Sequence, residues 1–455
     1  MFVDTIGRFV LSPDFLTEFA SSVSSKKESL KAKILKGKPN PLSDDFQQHF
    51  ESIWVPLKES GKYSVDAGAL EIVAIDSSVY TNLMSTGGIF YVIRSLAACR
   101  AGERRLLETD VFFTKANLLE SKRFLSKKME MLEFQVAIDA IKHGLDCSTI
   151  LVDGSLYGRA STLPIETQVE DDRLMSLHYL RYYRELLDLC RNKGILLVGV
   201  SKESRSTFYR DYLLRLIFNE TLDSVGASVD SGDWQRLKSL FTEMLDDEVS
   251  AITKFDSLRQ KYGTKLDKIG LILDELRSLR PDYQCIMSFA ETPGYTRPLL
   301  LGPSEKLAQQ LQQSLKDPAR YIHSHFPISV REKGLGFLEW GSTLLSGFTD
   351  FPAFISLYLL LDVRDAPIRI DIPYWNHAFV RAGWPRLIDI NLDEVLKVMV
   401  SGYCGLDCYN LWLKNVDEKV RLRKSVVDNL YFPLMEQQLN AKIIRGRRYR
   451  RVKFP

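Results

Sequence analysis

The sequence predicts an α/β protein: a mixed sheet flanked by helices, with a helical insertion and extensions at both ends. Three observations carry this. Short runs rich in Ile, Val and Leu stop at a carboxylate followed by small residues, as in "EIVAIDSS" (71–78) and "STILVDGS" (148–155). Amphipathic stretches of helical period lie between such runs. From 208 to 281 the pattern is helical almost throughout.

Taken in order, residues 1–68 are polar and read as helix, linker and helix, broken at Pro39 and Pro41. The first strand ends at Asp76. "GGIFYVIRSLAACRAG" (87–102) starts with two turn glycines and reads as its hairpin partner. "ESKRFLSKKMEMLEFQVAIDAIKHG" (120–144) is a helix with the stripe Met129, Leu132, Val136 and Ala140, stopped by Gly144. The Asp153 strand follows. A second amphipathic helix (175–194) leads into "ILLVGVSKES" (195–204), an apolar strand ending in a polar loop. After the helical block, strands are expected at "QCIMSFAET", "TRPLLLG", "FISLYLLLDV" and "PIRIDIPYW". The expected units are therefore an N-terminal extension (1–68), a first core half (69–207), a helical insertion (208–283), a second core half (284–400), and a C-terminal helical segment with a basic tail (401–455).

A chain of 455 residues with 45% apolar and 26% charged residues is long enough for several packed sub-structures and has the composition of a globular protein. No apolar run reaches the ~18 residues of a membrane helix, and the first residues lack the pattern of a signal peptide, so a cytoplasmic location is expected. Of the six cysteines only Cys404 and Cys408 are neighbours, and no second pair exists to complete a zinc site. Buried free thiols are expected. Net charge is only +3, but "AKIIRGRRYRRVKFP" (441–455) holds seven basic residues and no acid. A solvated tail and a phosphate-binding tail are both compatible with it.

Asp76 and Asp153 are the most informative residues. Strand ends face the crevice of an α/β sheet, and converging carboxylates repel unless a cation sits between them. Hard divalent cations, Mg²⁺ or Mn²⁺, take such oxygens. A third acid should come from the helix before Asp153. Glu133 has Met129, Val136 and Ala137 around it and faces the apolar side, whereas Glu130 has Ser126 and Lys127 behind it and faces solvent; Glu133 is the candidate. Lys202 follows a buried strand as the aspartates do, and could stabilise developing negative charge. His377, with Asp371 and Tyr374 as weaker neighbours, lies near the end of a later strand.

The succession "AIDSS", a helix with a buried glutamate, "ILVDGSL", "VGVSK", "GYTRPLLLG" and "IPYWNHAF" resembles the NurA nucleases of archaea and some bacteria, over about residues 70–380. That resemblance implies an RNase H-like core and a homodimer. It also implies DNA degradation with Mn²⁺ or Mg²⁺, two ions per site, by 5′–3′ exonuclease and single-strand endonuclease action. The implied partner is the hexameric translocase HerA, in end resection of double-strand breaks. Carried over by position, Asp76, Glu133, Asp153 and His377 take the metal-binding roles, with His377 placed by order along the chain. Lys202 stands at the site's edge, and Lys202, Arg445, Arg447, Arg448, Arg450 and Arg451 are expected to contact DNA. The first motif reads "DSS" where "DGS" is frequent. No G-x-x-x-x-G-K-[ST] loop occurs, so a motor would be a separate protein. The competing readings are another RNase H-like nuclease or strand transferase, and a non-catalytic dimeric adaptor for a DNA motor.

Overall fold

The run Ile72-Val73-Ala74-Ile75 is apolar on both of its faces, which only a central strand with helices on either side can satisfy. In the computed structural model it opens β1 (Ile72–Leu83), and all four residues are buried. The structure describes residues 2–3, 9–10 and 15–445, except 32, 35–39, 58–59, 116, 146, 247, 279 and 384.

β1 forms an antiparallel meander with β2 (Ile89–Cys99) and β3 (Gly102–Phe112). Helix α1 (Leu118–Lys142) then crosses one face of the sheet and delivers β4 (Thr149–Asp153) parallel to β1. Helix α2 (Met175–Lys193) crosses the same face and delivers β5 (Leu196–Ser201) parallel to β4. The first five strands therefore lie in the order 3-2-1-4-5, compatible with the RNase H-like expectation. The sheet continues through β6 (Leu299–Leu301), β7 (Pro352–Leu360), β8 (Ile368–Ala378) and β9 (Arg386–Leu387), in the order β9-β6-β7-β8-β5-β4-β1-β2-β3. Short strands Trp54–Pro56 and Gly294–Thr296 pair at its margin.

One face buries Val73, Ile75, Ile150 and Val152 against α1 and α2. The other buries Ile72, Ala74 and Leu151 against helices Asp393–Gly402 and α3 (Leu411–Val420). A further core joins helix Ser43–Ile53 to the helices between 208 and 277.

Three expectations need correction. Residues 284–292 do not form a strand: Asp282–Phe289 is a helix, anchored where the Asp282 carboxylate accepts from the Arg210 backbone N–H (2.8 Å), with Cys285 and Ile286 turned inward together. Only Cys190 and Cys285 are buried, and Cys404 is exposed. Asp76 does not end its strand. The parallel pairing with β4 stops at Ile75↔Val152, but β1 continues against β2 to Leu83. Asp76 thus stands where its neighbour turns away, which is a crevice of the same kind.

Candidate functional site

The turn after β4 has two glycine requirements. Gly154 adopts φ +107°, a conformation L side chains avoid, and its N–H donates to Val200 O (2.8 Å). A Cβ on Gly199 would lie 2.7 Å from Gly154 O and from Leu156, so β5 must be bare where the turn crosses it. Ser155 then caps the short helix Leu156–Ala160, accepting from Gly158 N and donating to Asp371 Oδ2 (2.6 Å).

Side chains alternate along a strand, so Asp76, two beyond Ala74, and Asp153, two beyond Leu151, both follow the face covered by α3. Ser77 follows the opposite face, toward α1. Its N–H donates to Asp76 Oδ1 (2.8 Å) and its hydroxyl to Glu133 Oε1 (2.5 Å), linking the two acids. Burial and the Asp153 and Glu133 carboxylates push Asp76 up to about 7. Glu133 is also raised: its burial outweighs the pull of Arg159 and Ser77. Arg159 Nη2 donates to Glu133 Oε2 (2.5 Å) and to Asp153 O (3.0 Å), so both Glu133 oxygens are engaged. Glu130 instead meets Lys127 and the Tyr179 hydroxyl.

Lys202 Nζ lies 3.0 Å from Asp153 Oδ2 and 4.4 Å from the centre of the Tyr409 ring. Burial opposes its charge, yet the Asp153 carboxylate holds Lys202 above its ordinary value. Asp76, Glu133, Asp153 and Lys202 are therefore brought together.

His377 is not. β8 runs antiparallel to β5, with Asp371 opposite Gly199, so six further residues carry His377 about 20 Å toward the other end of the sheet. There Arg386 Nη2 donates to its Nε2 (2.8 Å) and Tyr374 stacks on its ring. Asp371 is locked by Arg369 and Ser155. Arg445 pairs with Asp428 (2.6 Å), lies over Phe432 and bridges to Met84 in the β1–β2 turn, away from the acids. Arg447, Arg448, Arg450 and Arg451 lie outside the described residues.

Besides Arg159, two residues at the site escaped the sequence reading. Asp417, on α3, adds its charge to the repulsion at Asp76, and Tyr409 lies against Lys202 beside Asp153. Both come from "CYNLWLKNVDEK", whose only sequence signal is an Asn410 cap and an amphipathic helix.

Among the described residues no three acid, imidazole or thiol groups already stand in ligand geometry. The donor chemistry nonetheless suits a hard divalent cation. Asp76 and Asp153 offer oxygens on one face, and the burial and carboxylate repulsion that together raise Asp76 are what a bound cation would offset. Glu133 could join only as Arg159 lets go.

The NurA domain profile matches residues 70–422. No curated protein matches the chain. Among solved structures it is similar to the NurA nuclease from Sulfolobus solfataricus, at 14% identity over 94% of this chain and 98% of that one, with a TM-score of 0.48. NurA with manganese is 14% identical over 94% and 97% of the two chains, with a TM-score of 0.40. NurA bound to dAMP and manganese is 14% identical over 96% and 99%, with a TM-score of 0.37.

Proposed function

This chain belongs to the NurA family, and from that premise we propose that it is a metal-dependent deoxyribonuclease acting at Asp76 and Asp153. The observation that carries the reading is the convergence of those two carboxylates on one face of the sheet, where burial first and the neighbouring Asp153 and Glu133 charges second push Asp76 up to about 7.

Asp76 and Asp153 would hold the cation, Mn²⁺ or Mg²⁺, with Asp417 beside them and Glu133 joining when Arg159 releases it. Bound cations, two per site by family resemblance, would supply Lewis-acid polarisation of the scissile phosphate and of the attacking water. The chain's own groups do the rest. Lys202 fixes the Asp153 carboxylate at 3.0 Å and, being about half exposed, presents positive charge to an incoming phosphate. The Tyr409 ring limits where that ammonium can swing. Arg159 tethers the backbone of Asp153 and keeps Glu133 aligned.

In the fuller reading the protein is a homodimer that degrades DNA 5′ to 3′, nicks single strands, and resects double-strand break ends with a HerA-type hexameric ATPase. The metal and the nucleic-acid substrate come to this reading with the family, of which structures with manganese and with dAMP and manganese are known. No described helix is long and apolar enough to cross a membrane.

The test is incubation of the purified protein with end-labelled single- and double-stranded DNA in Mn²⁺, Mg²⁺ or EDTA. Cleavage with a divalent ion, lost in EDTA and in Asp153→Asn, is the expected result. Intact DNA under every condition would favour the adaptor reading.

A further inference from the structure

We propose that a groove beside the acids, walled by Arg94, Arg105, Lys419 and Tyr431, seats the single DNA strand that leads to the scissile phosphate; this rests on the nuclease reading. The groove follows from sheet register. Asp76 lies directly opposite Leu96 on β2, and Leu96 opposite Arg105 on β3, so the three share one face in a single row across the sheet. The next row is Ser78, Arg94 and Leu107. Strands lie about 4.8 Å apart, which puts the Arg105 backbone about 10 Å from that of Asp76. Lys419 comes down from α3, two residues past Asp417. The cavity, lined by Arg94, Leu96, Arg105, Leu107, Lys419 and Tyr431, measures about 500 Å³ and starts one strand away from Asp76.

The lining suits a polyanion with flat apolar parts. Arg94 lies over the Tyr431 ring (5.0 Å) and its Nε donates to the Tyr431 hydroxyl (2.7 Å), making a planar platform of the kind on which bases stack. Leu96 and Leu107 give an apolar floor. Arg105 and Lys419 now share Glu103, with Lys419 at 3.4 Å. Their side chains are 75% and 49% exposed, so both can exchange this carboxylate for phosphate oxygens. Contacts of this type position a strand without reading its bases.

The experiment measures binding of a labelled oligothymidine by anisotropy, in EDTA and across a salt series, on the uncleaving Asp76→Asn background. Arg105→Ala with Lys419→Ala should lower affinity about tenfold and reduce the log–log salt slope by about 1.4, two contacts at about 0.7 each for a single strand. Glu103→Gln should tighten binding, the opposite sign from a merely structural role. Unchanged affinity and slope in the double variant, while the wild type still cleaves with Mn²⁺, overturns the groove and leaves the nuclease reading standing. Wild type that neither binds nor cleaves overturns both. Polyglutamate displacing the oligonucleotide at equal charge would assign the groove to an acidic protein instead.

Discussion

Replacing Asp76 with asparagine should make the metal-free protein more stable, and the gain should depend on pH. The usual carboxylate has a folded-state value below its unfolded one and stabilises as pH rises. Asp76 is the reverse, at about 7 folded against 3.8 for the free group, because burial and the acids around it disfavour its charge. The folded chain therefore holds the Asp76 proton more tightly than the unfolded chain. The resulting cost is absent below about pH 4, grows between about 4 and 7, and is full above 7, where it reaches about 4 kcal/mol. Asparagine keeps the shape and can still accept the Ser77 N–H, but carries no charge. For a chain of this length unfolding as one unit, about 4 kcal/mol corresponds to roughly 4 °C in Tm. The assay is thermal unfolding of wild type and Asp76→Asn in EDTA from pH 5 to 8. The curves should separate progressively, with the variant higher at pH 8. Adding Mn²⁺ at about a hundred times its Kd should recover about 2.7 kcal/mol in the wild type and little in the variant. A gap that does not change with pH, or that Mn²⁺ leaves untouched, would refute the charge-deficit account of this site. In the same account, cleavage at limiting metal rises as pH passes 7, because the cation must displace the Asp76 proton.

Glu133→Gln should cost orders of magnitude in cleavage rate, measured well below Tm, while Glu130→Gln stays near wild type; the opposite ranking would move the site to the other helix face. Arg159→Met should destabilise by about 3–5 kcal/mol in chemical denaturation, because it leaves Glu133 buried without its cation, and adding Glu133→Gln should restore part of that loss. Purely additive losses would mean that the pair is not coupled. His377→Ala should leave metal-dependent cleavage near wild type, since its ring nitrogen is occupied by Arg386 far from the acids; a loss of a hundredfold or more would return it to the site.

What the sequence determined by itself was local, and not all of that: the 284–292 run reads as a strand but is helical through Phe289. The β1, β4 and β5 runs are legible because a strand buried on both faces must be apolar at every position. The Asp153 turn is legible because only glycine takes its backbone. The stripe around Met129 and Val136 put Glu133 on the buried side, since helix period ties position to face, but Glu130 does not face solvent as expected: it is partly buried against the Tyr179 hydroxyl. Tertiary structure decided the rest. Asp417 and Tyr409 reach the site because α3 happens to pack over the ends of β1 and β4, and nothing in an amphipathic helix says which sheet its apolar side will cover. His377 was placed by order along the chain, but an antiparallel return carries each later residue away from the end where β4 and β5 stop. Arg159 carries no signal in the sequence; the turn at Gly154 and the short helix after it fold it back onto Glu133. The basic groove has no linear signature: Arg94, Arg105 and Lys419 come from three elements, and only cross-strand register and helix packing set them in line with Asp76.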